Sequence, residues 1–301
     1  MKAYSHLTIK SLTIMNNSFL FTAAALALLG CAGPQNGDTE KTPATPELTQ
    51  VWKTDTVFTG SESTLYDPSA DIIYVSNGNT KAGEKDNDGF ISVVNTDGTI
   101  RDLRWLEGNL HAPKGMALLN SKLYVSDIDE MKIIDVASAS IERTIPVDNA
   151  VFLNDVATDG QQVYFSDSRT GHIYALATDG SYKIISTTNT GVNGLECHDG
   201  HLYALDGEGL KKFSNDGDYT QEVINSEVTG GDGLVILNDS TFVASRWHGE
   251  IFFIRGSETT VLLDTQSEKS NTADIGFVPG KNLVIVPTFL KNEVAAYELA
   301  Y

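Results

Sequence analysis

The chain is 301 residues long with 21 basic and 40 acidic side chains, a formal charge of −19. That balance argues against phosphate-backbone binding, which depends on clustered Lys and Arg, so no nucleic-acid partner is expected. Hydrophobic residues at 41% exclude wholesale disorder, and only two cysteines exclude a disulfide framework or a thiolate zinc cage.

Residues 19–29 form an apolar run too short to cross a bilayer as a helix, after a weakly basic start. The run ends in Leu28-Leu29-Gly30-Cys31, where a signal peptidase would cut. This ending resembles a bacterial lipobox, which implies lipidation of Cys31 and attachment to a membrane of the cell envelope. Residues 1–30 are therefore expected to be a signal peptide. Residues 31–48, rich in Pro, Thr, Gly and Asn, read as the lipidated Cys and a flexible tether. With Cys31 acylated, Cys197 is left as a quiet core thiol.

From residue 49 onward a short β-rich signature recurs. Its copies are Tyr74-Val75-Ser76-Asn77, Tyr124-Val125-Ser126-Asp127, Tyr164-Phe165-Ser166-Asp167 and Tyr203-Ala204-Leu205-Asp206, with weaker ones at Phe242–Ser245 and Val284–Pro287. The intervals are 50, 40, 39, 39 and 42 residues. A second alternating strand follows each copy, and Asp-Gly turns separate the strands, as in hairpins. Six units of four short antiparallel strands predict an all-β, six-bladed β-propeller over residues 49–301. The last unit offers only three strands, so Val51–Phe58 is expected to close its sheet from the N-terminal side. A monomer is expected.

The innermost strand of each blade opens at one face, so its first residues meet near the axis. Ten residues before each signature (twelve in blade one) stand Glu62, Lys114, Asn154, Asn193, Asp232 and Asp274. Carboxylates gathered in a channel mouth repel unless a cation or protons compensate. Carboxylate and amide oxygens without thiolates suit a hard divalent cation, Ca²⁺ above all. Glu62, Asn154, Asn193 and Asp232 are the expected ligands. Lys114 would pair with Asp274 or face a substrate oxygen. The alternative is a metal-free ring tied together by Lys114 and the two amides. A cation would polarise a scissile carbonyl, with Asp232 or Asp274 as base and Lys114 stabilising an oxyanion. The loops of this face should add Asp127, Ser168, Thr288 and Phe289 as walls, and Arg246, Trp247 and His248 as substrate contacts. The run Cys197-His198-Asp199-Gly200-His201 aligns with a hairpin at the opposite face and reads as a solvated turn.

Glu62-Ser63-Thr64-Leu65-Tyr66-Asp67-Pro68, Leu153-Asn154-Asp155, Asn193-Gly194-Leu195 and Asp232-Gly233-Leu234 together resemble the regucalcin/gluconolactonase family, and more distantly the paraoxonases. The resemblance implies a six-bladed propeller holding one divalent cation, commonly calcium, and hydrolysing lactones or related esters. Glu62, Asn193 and Asp232 match the family's metal ligands, and Asn154 its site asparagine. Two departures stand out: Phe152 where sugar-lactone enzymes often carry Arg, and Lys114 where paraoxonases carry His. Two functions remain: a metal-dependent lactone or ester hydrolase acting on a small molecule, and a non-catalytic propeller that binds a ligand or protein.

Overall fold

A computed structural model describes residues 45–78, 81 and 83–301 of the chain. The expected signal segment, Cys31 and most of the tether lie outside the described residues.

The repeating signature folds as the second strand of each blade, because its alternate side chains feed two different cores. In Val163–Asp167, Val163 and Phe165 pack toward the preceding blade, while Tyr164 packs toward the following one. A strand buried on both faces suits β-branched and aromatic residues at every position. The outcome is six four-stranded antiparallel sheets. Six separate apolar clusters lie between them, one at each blade–blade boundary. Each fully buried Val, Leu, Ile or Phe in those clusters contributes about 1.5–3 kcal/mol. Two short 3-10 turns, Gln266–Glu268 and Pro279–Lys281, are the helical elements among the described residues.

Blade six contains Gly276–Val278, Leu283–Pro287 and Val294–Ala300, and its outermost strand comes from the N-terminal side. That strand is Glu47–Lys53, antiparallel to Val294–Ala300 from Glu47↔Ala300 to Lys53↔Ala295. It lies earlier than the expected Val51–Phe58. The chain leaves the sheet after Lys53, and Phe58, 2% exposed, is buried instead in the core between blades six and one.

The inner strands of blades one to three each carry a β-bulge at the position that the repeat singles out. Register shifts fall between Ser61 and Thr64, Pro113 and Met116, and Leu153 and Val156. Blades four and five repeat the pattern in hydrogen bonds. Asn193 N donates to Leu205 O while Leu205 N donates to Gly194 O, and Asp232 N donates to Ser245 O while Ser245 N donates to Gly233 O. A bulge sets two consecutive residues opposite one and re-aims their side chains. The propeller therefore presents two stacked tiers at its axis, one from each bulge residue.

Candidate functional site

The upper tier comprises Glu62, Lys114, Asn154, Asn193 and Asp232. Each is set in place by its own signature. The signature's serine accepts from the bulge N–H of its own blade: Ser76 Oγ from Ser63 N at 2.9 Å, Ser166 Oγ from Asp155 N at 3.0 Å, and Ser245 Oγ from Gly233 N at 2.8 Å. The same hydroxyl donates to the upper-tier carbonyl of the next blade. Ser126 Oγ donates to Asn154 O, Ser166 Oγ to Asn193 O at 2.9 Å, and Ser245 Oγ to Ala273 O at 2.7 Å. The acid after the serine braces the loop that enters the inner strand. Asp127 accepts from His111 N and Ala112 N at 2.9 and 2.8 Å, and Asp167 accepts from Val151 N at 2.7 Å. Sequence reading placed Asp127 as a wall and missed its bracing role. The Ser-Asp ending of the signature was the available signal.

The hydrogen-bond pattern corrects the assignment in blade six. Ser245 reaches Ala273 as its counterparts reach Asn154 and Asn193, so Ala273 holds the upper position and Asp274 stands one tier lower. Ala273 N donates to Pro287 O, as Asn193 N does to Leu205 O and Asp232 N to Ser245 O, so Pro287 rather than Val286 stands level with the serine of the neighbouring blade. Among the described residues no ion pair joins Asp274 to Lys114. Asp274 Oδ2 accepts from Ser63 Oγ at 2.5 Å, while Asp155 in the same tier accepts from Val156 N at 2.7 Å and Leu195 N at 2.5 Å. Burial lifts Asp274 to about 6 and Asp155 well above the carboxylate range, where Asp274's charge also raises it.

Glycine is required elsewhere in the lower tier because the neighbouring strands close in. A Cβ on Gly115 would lie 2.5 Å from Asp155 Cα, one on Gly194 would strike Asp232 O, and one on Gly233 would strike Ile275 N. This is the physical content of the Lys114-Gly115, Asn193-Gly194 and Asp232-Gly233 pairs. Below this tier the channel opens into a cavity of about 260 Å³ whose lining includes Met116, Leu195, Glu196, Leu234 and Ile275. At that lower end His198 Nε2 meets Asp239 at 3.0 Å, while His201 Nδ1 meets Phe213 O at 2.9 Å. The two histidines thus have separate partners.

Three upper-tier side chains are left with buried oxygens that have no hydrogen-bond partner: Glu62 Oε2, Asn193 Oδ1 and Asp232 Oδ2. Asn193 Nδ2 donates to Asp232 Oδ1 at 2.8 Å, which orients both groups. Asn154 Nδ2 donates to Ser168 Oγ at 3.0 Å. Such atoms cost about 1–3 kcal/mol each when buried without a partner. Burial raises Glu62 to about 8; Lys114 opposes the rise and Asp274 adds to it. Burial also pushes Asp232 well above the usual range, reinforced by the charges of Glu62 and Asp274. These groups are thus close enough to act on one another, and the donor set is oxygen throughout. Among the described residues no three His, Cys, Asp or Glu side chains converge as ligands. The set that fits a hard cation is two carboxylates with two amides.

Lys114 is 2% exposed and donates to Ala112 O at 2.9 Å, with its ammonium 4.5 Å from the centre of the Phe152 ring. Burial lowers its pKa, while Glu62 and Asp127 raise it. Arg169 lies 5.4 Å from the same ring. Of the expected substrate contacts, Arg246 is occupied elsewhere: it donates to Thr229 O at 3.1 Å and Glu250 Oε2 at 2.8 Å, and lies 4.8 Å from the Phe252 ring. Trp247 is half-buried against Phe289, ring centres 5.7 Å apart, and Phe289 N donates to Ser61 O beside Glu62. His248 is exposed, 5.4 Å from the Trp247 ring. The wall of the mouth is thus Trp247 with Phe289, whereas Arg246 is a brace.

No family model and no curated protein sequence matches the chain. Solved structures do. A candidate gluconolactonase is 18% identical with a TM-score of 0.65, covering 85% of this chain and 93% of that one. Virginiamycin B lyase from Staphylococcus aureus, solved with quinupristin in a catalytically inactive form, is 13% identical with a TM-score of 0.58, covering 85% and 99%. A chain of the nidogen/laminin complex is 13% identical with a TM-score of 0.60, covering 72% and 84%. At these identities the likeness is one of architecture: the chain has the six-bladed propeller fold that the gluconolactonase-like structure shares.

Proposed function

We propose that the protein is a divalent-cation-dependent hydrolase of lactones or related esters, with Ca²⁺ held at the propeller mouth by Glu62, Asn154, Asn193 and Asp232. The observation that carries this reading is the set of three partnerless buried oxygens, Glu62 Oε2, Asn193 Oδ1 and Asp232 Oδ2, contributed by three different blades. A bound cation would polarise a substrate carbonyl and acidify a coordinated water. The chain's own groups supply the rest. The Asp232 carboxylate, oriented by Asn193 Nδ2, would take a proton from a water at the mouth. Lys114 supplies positive charge for a developing oxyanion. Trp247 and Phe289 form an apolar wall that excludes water from one side of the mouth. In this reading the chain is exported by residues 1–30 and held in the bacterial envelope by lipid on Cys31. It works as a monomer.

A second reading, a propeller that binds a ligand or protein without turnover, has Lys114 and Phe152 in its favour, since both depart from the enzyme pattern. The test is metal analysis of the purified full chain, followed by a lactone panel with and without chelator. Chelator-sensitive hydrolysis abolished by Asp232→Ala supports the hydrolase. Stoichiometric metal with no turnover on the panel supports the binding propeller, and absence of metal after calcium dialysis refutes the cation site.

A further inference from the structure

The upper tier contains something that an oxygen-lined cation site does not need, a buried ammonium. With a cation bound, Glu62 and Asp232 would supply two negative charges, Asn154 and Asn193 none, and Lys114 one positive charge within the same ring; Asp274, one tier lower, adds to the negative field at both carboxylates. Lys114 is 2% exposed and Glu62 is 7% exposed, so solvent screens the pair little. No Lys114–Glu62 ion pair closes within 4.0 Å among the described residues, yet Lys114 is the largest favourable charge that Glu62 feels. The ammonium therefore acts on the carboxylate through space and leaves Glu62 Oε2 without a partner.

The position of Lys114 is also fixed. Its acceptor, Ala112 O, belongs to a residue whose own N–H is held by Asp127 Oδ1 at 2.8 Å. On the other side lies the Phe152 ring at 4.5 Å, on a residue whose N–H is held by Asp167 Oδ1 at 3.3 Å. Two signature acids from neighbouring blades thus brace two contacts that this ammonium makes among the described residues. A cation near an aromatic face is attracted by the ring's negative face, which favours its staying there.

We propose that Lys114 is a built-in counter-cation that sets the affinity of the mouth for a divalent ion, weakening it so that occupancy follows the calcium concentration outside the cell. This inference rests on the cation site proposed above and concerns how tightly that site binds. With one of two carboxylate charges offset, the ring belongs with the weak extracellular class of calcium sites, with Kd on the order of 10⁻⁴–10⁻³ M. Phe152 has a part in this as the residue that positions the ammonium.

The test is calcium titration of the detergent-solubilised full chain by calorimetry, for wild type, Lys114→Met, Lys114→Arg and Asp232→Asn. Lys114→Met is expected to bind calcium at least ten-fold more tightly than wild type, Lys114→Arg within about threefold, and Asp232→Asn much more weakly. Equal or weaker binding by Lys114→Met overturns the inference while leaving the cation site standing. Equal tightening by Lys114→Arg also overturns it, because the effect would then follow shape rather than charge. No calcium binding by any of the four proteins refutes the cation site and this inference with it. If Lys114→Met folds only in calcium, the concentration that restores its fold reads the same affinity, and a requirement above the wild-type Kd overturns the proposal.

Discussion

Glu62 offers a direct measure of the strain stored at the mouth. Its carboxyl has an ordinary value of 4.5 and stands at about 8 in the ion-free fold, mainly through burial, with Lys114 opposing and Asp274 adding to the shift. The folded protein thus holds that proton more tightly than the unfolded chain does. Stability is highest below pH 4.5 with respect to this group and falls as pH rises toward 8. At about 1.4 kcal/mol per pH unit the full loss is about 5 kcal/mol, most of it already present at pH 7. For a domain of this size that corresponds to roughly 10 °C or more in Tm. Asp232 changes in the same direction, and Glu62→Gln removes only the Glu62 part. Thermal unfolding in chelator from pH 5 to 8 should therefore show wild type losing roughly 10 °C more than Glu62→Gln. Saturating calcium, which favours the carboxylate, should abolish that excess loss. Parallel curves for the two proteins in chelator would refute the argument.

Three further outcomes follow from the geometry. Ser166→Ala leaves both Asp155 N and Asn193 O unpaired in the interior, so denaturant unfolding should show a loss of about 2–4 kcal/mol, beyond that of an exposed serine. Gly194→Ala sets a methyl against Asp232 O; it should cost about 1–3 kcal/mol and weaken calcium binding, because Asp232 itself must shift. Trp247→Ala opens the wall beside Phe289. If a lactone substrate is found, its KM should rise several-fold with kcat within about twofold, the pattern expected for lost binding that is equal in ground and transition states.

The repeat, its period and the polar residues at the openings of the inner strands were all legible in the sequence, because a propeller repeats one physical problem six times. Each second strand must be apolar on both faces and must end at the mouth, so Tyr-Val-Ser-Asp recurs and can be counted. Counting located Glu62, Lys114, Asn154, Asn193 and Asp232, where spacing within the blade is constant. It failed at Asp274, because Val284–Pro287 is a weak copy whose phase is off by one, and a shift of one at a bulge exchanges the upper tier for the lower. The ion pair of Arg246 with Glu250, four residues along the same hairpin, was not legible either, because the arginine by its type alone suggests a substrate contact. Local pattern therefore determined the blades and five of the axial positions. Tertiary structure alone decided which oxygens are left without partners, that Asp155 and Asp274 are buried near enough for the charge of Asp274 to raise the pKa of Asp155, and that Phe152 and Ala112 contact Lys114. Those properties depend on groups from different blades meeting in a buried space, where hydrogen-bond vacancies and unscreened charges are set by three-dimensional distance rather than by separation along the chain.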